Sequence, residues 1–135
     1  MTLTYSTAIR NARLDAVEST IGTSAKLIVR TGAPPATVAT ASSGTVLATV
    51  SLPSDWMAAA SGGTKSMSGT WEDTSADNTG TAGHFEITAS DGTTVGMRGT
   101  VTATGGGGDM TVSNTSFASG QDFVVTSFTL TAGNA

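Results

Sequence analysis

The alternation of apolar and polar residues divides the chain into one helical segment and several extended segments. Residues 5–21 carry apolar side chains at three- and four-residue spacing, which is the period of an amphipathic helix. Ser6 or Thr4 is placed to cap the start of this helix, and Gly22 is placed to end it with a left-handed backbone. The apolar stripe is thin and rich in alanine, so we expect the helix to lie on a sheet or on a neighbouring subunit.

Beyond Gly22 the pattern changes to short extended runs separated by turn residues. The runs that predict strands are AKLIVRT, GTVLATVSL, KSMSGTW, HFEITAS, TVGMRGTVTA, DMTVS and DFVVTSFTLTA. Their number and spacing are typical of a sandwich or barrel. We therefore predict a mainly β protein, an antiparallel β-sandwich of jelly-roll-like form with one N-terminal α-helix. It is expected to be a single domain of residues 1–135, with residues 1–22 as the helical segment and residues 23–135 as the sandwich.

The segment GHFEITASDGTTVGMRG, residues 83–99, contains the only histidine of the chain and reads as a hairpin. A loop of residues 90–92, with a left-handed glycine at its end, pairs Ile87 with Val95 and Phe85 with Met97. This register keeps the large apolar side chains on one face, and register follows the apolar pattern when one face is buried.

In that register the polar residues of the hairpin lie close enough to pair with one another. His84 lies opposite Arg98 on the outer, solvent-facing side, and Glu86 lies diagonal to the same arginine, forming an ion pair of roughly 0.2–1 kcal/mol. Nothing in the chain resembles the G-x-S-x-G turn that presents a nucleophilic serine. We therefore expect no catalytic residue and no enzymatic activity.

Composition narrows the classes of partner. The net charge is −4, charged residues make up 12%, and the six basic residues are scattered, so nucleic acid is not an expected partner. The chain has no cysteine, which removes disulfides and thiolate metal sites. No apolar run approaches the ~20 residues of a membrane span, and the N-terminus does not resemble a secretory signal. We expect a protein that stays in the cytoplasm of the cell that makes it.

Three further motifs are read as structural rather than as ligand sites. ATGGGGDM and SGGTKS depart from the phosphate-loop pattern, and the first is predicted to be a flexible hairpin tip. WEDTSADNTG gathers acidic residues without the alternating ligand spacing of a calcium loop. We expect no cofactor and no metal. Trp56 and Trp71 are read as core or interface anchors, with a carbohydrate-stacking platform left as an alternative.

Several stretches taken together point to a known family. MTLTYSTAIRNARLDAVESTIGTSAKL, TGAPPA, LPSDWMAAASGG, SGTWEDTSADNTGTAGHFEI and VTSFTLTAGNA resemble small structural proteins of tailed bacteriophages and prophages. Within that group the chain is most similar to head decoration, or cement, proteins of the Bordetella podophage kind. The likeness covers almost the full length and includes no catalytic signature.

This resemblance implies a virion protein that binds the outside of the capsid and stabilises contacts between major capsid protein subunits. It implies a homo-oligomer, with a dimer favoured over a trimer, located on the capsid surface and in the host cytoplasm during assembly. The residues that we expect at an interface lie on the helix: Ile9, Arg10, Arg13, Leu14 and Val17. Two alternatives stay open, a tail or tail-fibre accessory protein with a receptor role, and a small carbohydrate-binding or hydrolytic β-domain.

Overall fold

The N-terminal helix forms as the pattern predicts. In a computed structural model that describes residues 3–135, helix α1 spans Thr7–Ile21. The side chain of Ser6 accepts a hydrogen bond from the backbone N–H of Ile9 at 3.3 Å and caps the first turn. Gly22 has a φ of 97° and donates its N–H to the carbonyl oxygen of Glu18, which ends the helix. No helix within residues 3–135 has the length and apolar character that crossing a bilayer requires.

Nine strands follow the helix in the described part of the chain. They are β1 (Lys26–Thr31), β2 (Val46–Ser51), β3 (Thr64–Ser66), β4 (Glu72–Asp73), β5 (Gly80–Thr88), β6 (Val95–Ala103), β7 (Met110–Val112), β8 (Ser116–Phe117) and β9 (Phe123–Thr131). Each of the seven predicted runs overlaps one of these strands, although β3 and β5 begin before the runs that predicted them. The two-residue strands β4 and β8 were not predicted, because two residues are too few to show a period.

The strands form one curled sheet in the order β2-β1-β5-β6-β7-β9-β3, with β4 paired to β9 and β8 paired to β5. Every ladder is antiparallel except that between β6 and β7. The prediction of a mainly β, antiparallel-rich, sandwich-like fold with one N-terminal helix is confirmed.

The curl of the sheet brings distant strands together around an aromatic core. Phe85 of β5 and Phe128 of β9 are three places apart in the sheet, yet their rings meet edge to face at 5.4 Å. Trp71 lies 5.7 Å from the Phe128 ring and 6.0 Å from the Trp56 ring. Such aromatic pairs stabilise a core beyond the area that they bury.

The glycine-rich segment after β6 is not a hairpin tip, and that prediction is wrong. β6 and β7 run parallel, with Val101 beside Met110, although only residues 104–109 connect them. A Cβ on Gly106 or Gly108 would overlap Thr102, so the glycines let the connection fold back tightly over β6. The segment is therefore a compact return between parallel neighbours, an arrangement that usually needs a longer crossover.

The hairpin of β5 and β6 keeps Phe85, Ile87 and Met97 on the buried face as predicted, but its register differs, and Val95 lies opposite Thr88. Ile87 pairs with Met97 rather than Val95, and Glu86 lies directly opposite Arg98. The reversal is longer than the predicted three residues, since the N–H of Ala89 bonds the carbonyl oxygen of Thr94. The irregularity in the ladder falls between Ile87 and Thr88, so the bulge lies at the strand ends rather than in the loop.

Candidate functional site

The chemistry-bearing residues of the hairpin form a buried polar cluster rather than a solvent-facing row. On the face of the sheet away from the core, His84 stands between Arg30 of β1 and Thr100 of β6, and Glu86 lies opposite Arg98. His84 is 0% exposed and Glu86 is 1% exposed. The prediction that these side chains face water is wrong because residues 32–44, from the connection between β1 and β2, cover this face.

Glu86 is the centre of the cluster. Its Oε1 lies 3.4 Å from Nη2 of Arg98 and 3.3 Å from Nε of Arg30, although the Arg30 Nε–H does not point at it. Its Oε2 accepts a hydrogen bond from the hydroxyl of Ser42 at 3.0 Å. One carboxylate therefore holds two guanidinium groups and one residue of the covering loop.

Arg98 extends the attachment along the loop. Its Nη1 donates to the carbonyl oxygens of Thr37 and Thr40 at 2.6 Å each, and its Nη2 donates to Ser42 Oγ at 3.0 Å. A guanidinium offers five donors in a fixed plane, which suits a group that must bind several backbone oxygens at once. Arg98 thus fixes the loop to the sheet.

His84 makes one hydrogen bond to the start of the loop. Its Nδ1 lies 2.9 Å from the carbonyl oxygen of Gly32, so Nδ1 carries the hydrogen, and no described residue bonds Nε2. Gly83 is required here because a Cβ at this position would overlap the same carbonyl oxygen. A general base must reach the proton that it abstracts, and this imidazole is sealed beneath the loop.

The acidic segment after Trp71 is attached to the edge of β2. Asp73 accepts the backbone N–H of Thr49 at 3.1 Å, and Asp77 accepts the hydroxyl of the same threonine at 3.2 Å. Asn78 donates to the carbonyl oxygen of Val46 at 2.8 Å. These side chains cover an otherwise unpaired strand edge. Within residues 3–135 no three His, Asp or Glu side chains are grouped so that they could hold a metal ion.

A second charged cluster, which the sequence analysis missed, attaches helix α1 to the sheet. Lys65 of β3 is 3% exposed, and its Nζ donates to Asp15 Oδ1 at 2.7 Å, to Glu18 Oε2 at 2.9 Å and to the carbonyl oxygen of Ala58 at 2.9 Å. The two helix carboxylates also accept backbone N–H groups, Glu18 Oε1 from Met57 at 3.1 Å and Asp15 Oδ1 from Ala60 at 3.0 Å. The sequence did contain one indication of this cluster: Asp15 and Glu18 are three residues apart, which places both carboxylates on one face of the helix.

The protonation of this cluster follows from its contacts. The hydrogen bond from Lys65, followed by that from the N–H of Ala60, lowers the pKa of Asp15 below 3.8. Burial opposes the charged form of Lys65, but the hydrogen bonds to Asp15 and Glu18 outweigh it and raise the pKa of Lys65 above 10.5. SGGTKS, the motif that departs from the phosphate-loop pattern, therefore contains a lysine whose ammonium group already bonds three oxygens of the same chain.

The predicted interface residues divide between two faces of α1. Leu14 is 6% exposed and faces the body of the same chain. Arg10 is partly buried and donates to the carbonyl oxygen of Ala132 at 3.4 Å, and Val17 is also partly buried. Ile9 is 48% exposed, and Arg13 is exposed with its guanidinium 5.2 Å from the centre of the Tyr5 ring. Of the five residues, Ile9 and Arg13 are the two that a partner could contact freely.

Both tryptophans lie in the core. Trp56 and Trp71 are each 0% exposed, and their indole N–H groups donate at 3.1 Å to the carbonyl oxygens of Gly22 and Ser68. Neither ring offers a face on which a sugar could stack. The two tryptophans are therefore core anchors, and the alternative of a carbohydrate-stacking platform is wrong.

The comparisons with known proteins give no further guide to the site. No family model, no curated protein and no solved structure matches the chain.

Proposed function

We propose that this protein is a non-enzymatic decoration protein of a phage head, which binds the outside of the capsid and stabilises contacts between major capsid protein subunits. The proposal rests on the resemblance of the stretches quoted above to cement proteins and on one observation of the structure. The side chains that would carry chemistry hold the covering segments to the sheet: His84, Glu86 and Arg98 bind the loop of residues 32–44, and Lys65 binds the helix.

This use of polar groups suits a protein that acts through its shape. Charged residues make up only 12% of the chain, and the exposed surface is rich in Thr, Ser, Ala and Gly. Such a surface has little charge to desolvate when it is pressed against another protein. The partner is the major capsid protein, and self-association as a dimer accompanies it. No cofactor, nucleic acid or membrane is part of this proposal.

Helix α1 is one surface that could contact the capsid or a second copy. Because Leu14 faces the body of its own chain, a test of this surface uses Ile9 and Arg13. The variants Ile9→Asp and Arg13→Glu are expected to fold normally and to weaken either self-association or binding to heads. If both remain as in the parent protein, α1 is not an interface.

The experiment that tests the proposed function mixes the purified protein with phage heads that lack it. We expect saturable binding at a fixed ratio to the major capsid protein, and decorated heads that withstand higher temperature before rupture. Heads that sediment without the protein, or decorated heads that rupture at the same temperature as bare heads, would contradict the proposal.

A further inference from the structure

The sheet contains a gap beside its shortest internal strand. β6 and β9 have nine residues each, but β7, which lies between them, has only three. β7 pairs with residues 101–103 of β6 and with residues 125–128 of β9. Further along, residues 97–98 and 129–131 have no strand between them and line a cavity of about 530 Å³. We call this cavity the β6–β9 slot.

The backbone groups of β9 point into the slot at alternate residues. The carbonyl oxygen of Phe128 accepts the N–H of Met67, and the N–H of Ala132 donates to Gly63, so these two residues bond towards β3. In an antiparallel ladder the bonding side alternates along the strand. The backbone groups of Thr129 and Thr131 are therefore directed away from β3 and towards the slot. The N–H of Thr129 is already bonded to the carbonyl oxygen of Asp109, since this bond flanks the Met110–Phe128 pair of the β7–β9 ladder, whereas no strand of residues 3–135 pairs with this side of Thr131.

β6 presents a backbone edge on the opposite wall. The N–H of Thr100 points away from β5, since it donates to Asp109 Oδ2 at 2.9 Å. The same alternation directs the backbone groups of Arg98, two residues earlier, into the slot. The two walls are thus strand edges of the kind that bind an added strand through main-chain hydrogen bonds.

The floor of the slot is apolar and its inner end is acidic. Phe85 and Phe128 are buried at the floor, while Met97 and Leu130 are only partly buried. Asp109 closes the inner end, where its Oδ2 accepts the N–H and the hydroxyl of Thr100. No described Lys or Arg lies within ion-pair distance of this exposed carboxylate.

We propose that the β6–β9 slot binds an extended segment of the major capsid protein by β-strand addition, an inference that rests on the proposed function. The segment takes the line that β7 leaves vacant and hydrogen-bonds to Arg98 on one side and to Thr131 on the other. Side chains alternate along a strand, so an apolar residue faces the aromatic floor and its neighbours face water. A Lys or Arg of the segment lies beside Asp109.

A second copy of this chain does not meet these requirements. All six Lys and Arg residues lie in α1 or in paired strands, at positions 10, 13, 26, 30, 65 and 98. The segments between those elements carry no basic side chain, so they cannot place one beside Asp109. The charge complementarity therefore favours a different protein as the occupant.

The test is hydrogen exchange at single-residue resolution, measured on the free protein and on the protein bound to heads that lack it. The amides of Arg98 and Thr131 are expected to exchange rapidly in the free protein and at least about tenfold more slowly on heads. Asp109→Asn keeps an oxygen for the Thr100 N–H but removes the charge, and is expected to weaken head binding about three- to tenfold. Asp122→Asn, an exposed control with the same change in net charge, is expected to bind as the parent does.

The outcomes separate this inference from the proposed function. Normal head binding without slowed exchange at the amides of Arg98 and Thr131 overturns the slot and leaves the decoration role standing. Slowed exchange that appears in the free protein as its concentration rises identifies a second copy as the occupant and overturns the inference. Equal weakening by the Asp109 and Asp122 variants overturns the acidic contact, and failure to bind heads at all overturns both proposals.

Discussion

The loop of residues 32–44 and helix α1 both cover the sheet through charged side chains, but they place the charges differently. The loop contributes no charged residue of its own and is held by Arg98 and Glu86, which project from the strands. At the other attachment, helix α1 contributes two carboxylates, and strand β3 contributes Lys65. Both attachments join segments far apart in the chain.

The difference in burial decides how each attachment responds to solvent. The side chain of Glu86 is 1% exposed, whereas that of Asp15 is 50% exposed. A buried charge that loses its partner is strongly destabilising, while an exposed one is rehydrated at little cost. The helix attachment also contains a buried charge, Lys65, but its Asp15 carboxylate is exposed and is the group through which this attachment should follow pH.

The largest effect is expected from Glu86→Gln. This variant leaves the guanidinium groups of Arg30 and Arg98 beneath the loop without a carboxylate, which costs about 3–5 kcal/mol of unfolding free energy. Denaturant unfolding measures the loss. The matched control is Glu72→Gln, an exposed residue of β4, which should change the unfolding free energy by no more than about 0.5 kcal/mol. Equal effects of the two variants would show that the cluster does not hold the loop.

A smaller loss is expected from Leu14→Ala on the helix. Leu14 is the one residue of α1 that is fully buried, so its truncation should cost about 2–3 kcal/mol. Ile9→Ala, on the exposed face, should cost no more than about 0.5 kcal/mol. The same unfolding measurement tests both, and a costly Ile9→Ala would mean that the exposed face of α1 is already packed in solution.

The helix attachment should weaken at both ends of the pH range. Because the pKa of Asp15 in the folded protein lies below 3.8, its stabilisation is complete above pH 3.8 and is lost as the pH falls through the folded pKa. Because the pKa of Lys65 is raised above 10.5, its stabilisation is complete below pH 10.5 and is lost as the pH rises through the raised pKa. The protection of the α1 amides against hydrogen exchange, taken relative to the intrinsic rate at each pH, should fall in both ranges.

Asp15→Asn supplies the control for this pH dependence. It should remove the acid-side change in α1 exchange and leave the change above pH 10.5 in place. Exchange of α1 that follows the global unfolding of the protein at every pH would contradict an independently attached helix.

The smallest effect on the unfolding free energy is expected from Asp91, in the hairpin turn between β5 and β6. The hydroxyl of Thr94, followed by the N–H groups of Thr94 and Thr93, lowers the pKa of Asp91 to about 2. The stabilisation from these contacts is present above pH 3.8 and is lost as the pH falls towards 2. Asp91→Ala should flatten this acid-side slope of the unfolding free energy. An unchanged slope would remove Asp91 as its source.

The sequence predicted what depends on local pattern. The helix, its Ser6 cap and its Gly22 end follow from the 3.6-residue period and from the backbone freedom of glycine. Each of the seven predicted strands follows from extended runs between turn residues. The faces of β5 and β6 were also correct, because Phe85, Ile87 and Met97 must share the buried side.

What the sequence did not predict depends on contacts between distant segments. The loop of residues 32–44 folds over His84, some 50 residues further on, and turns an apparent surface row into a buried cluster. The register error has the same origin, since a shift of two residues keeps every side chain on its face and the apolar pattern does not distinguish the two. Lys65 was predicted only as the first residue of a strand and as part of a motif that departs from the phosphate-loop pattern, because its partners lie far away on α1.

The most direct test of the decoration role is a quantitative protein measurement on purified phage particles separated into heads and tails. The account predicts the protein on heads, in a fixed ratio to the major capsid protein, and its loss from particles when the gene is deleted. Particles that contain none of it, or that carry it on tails alone, would contradict the account.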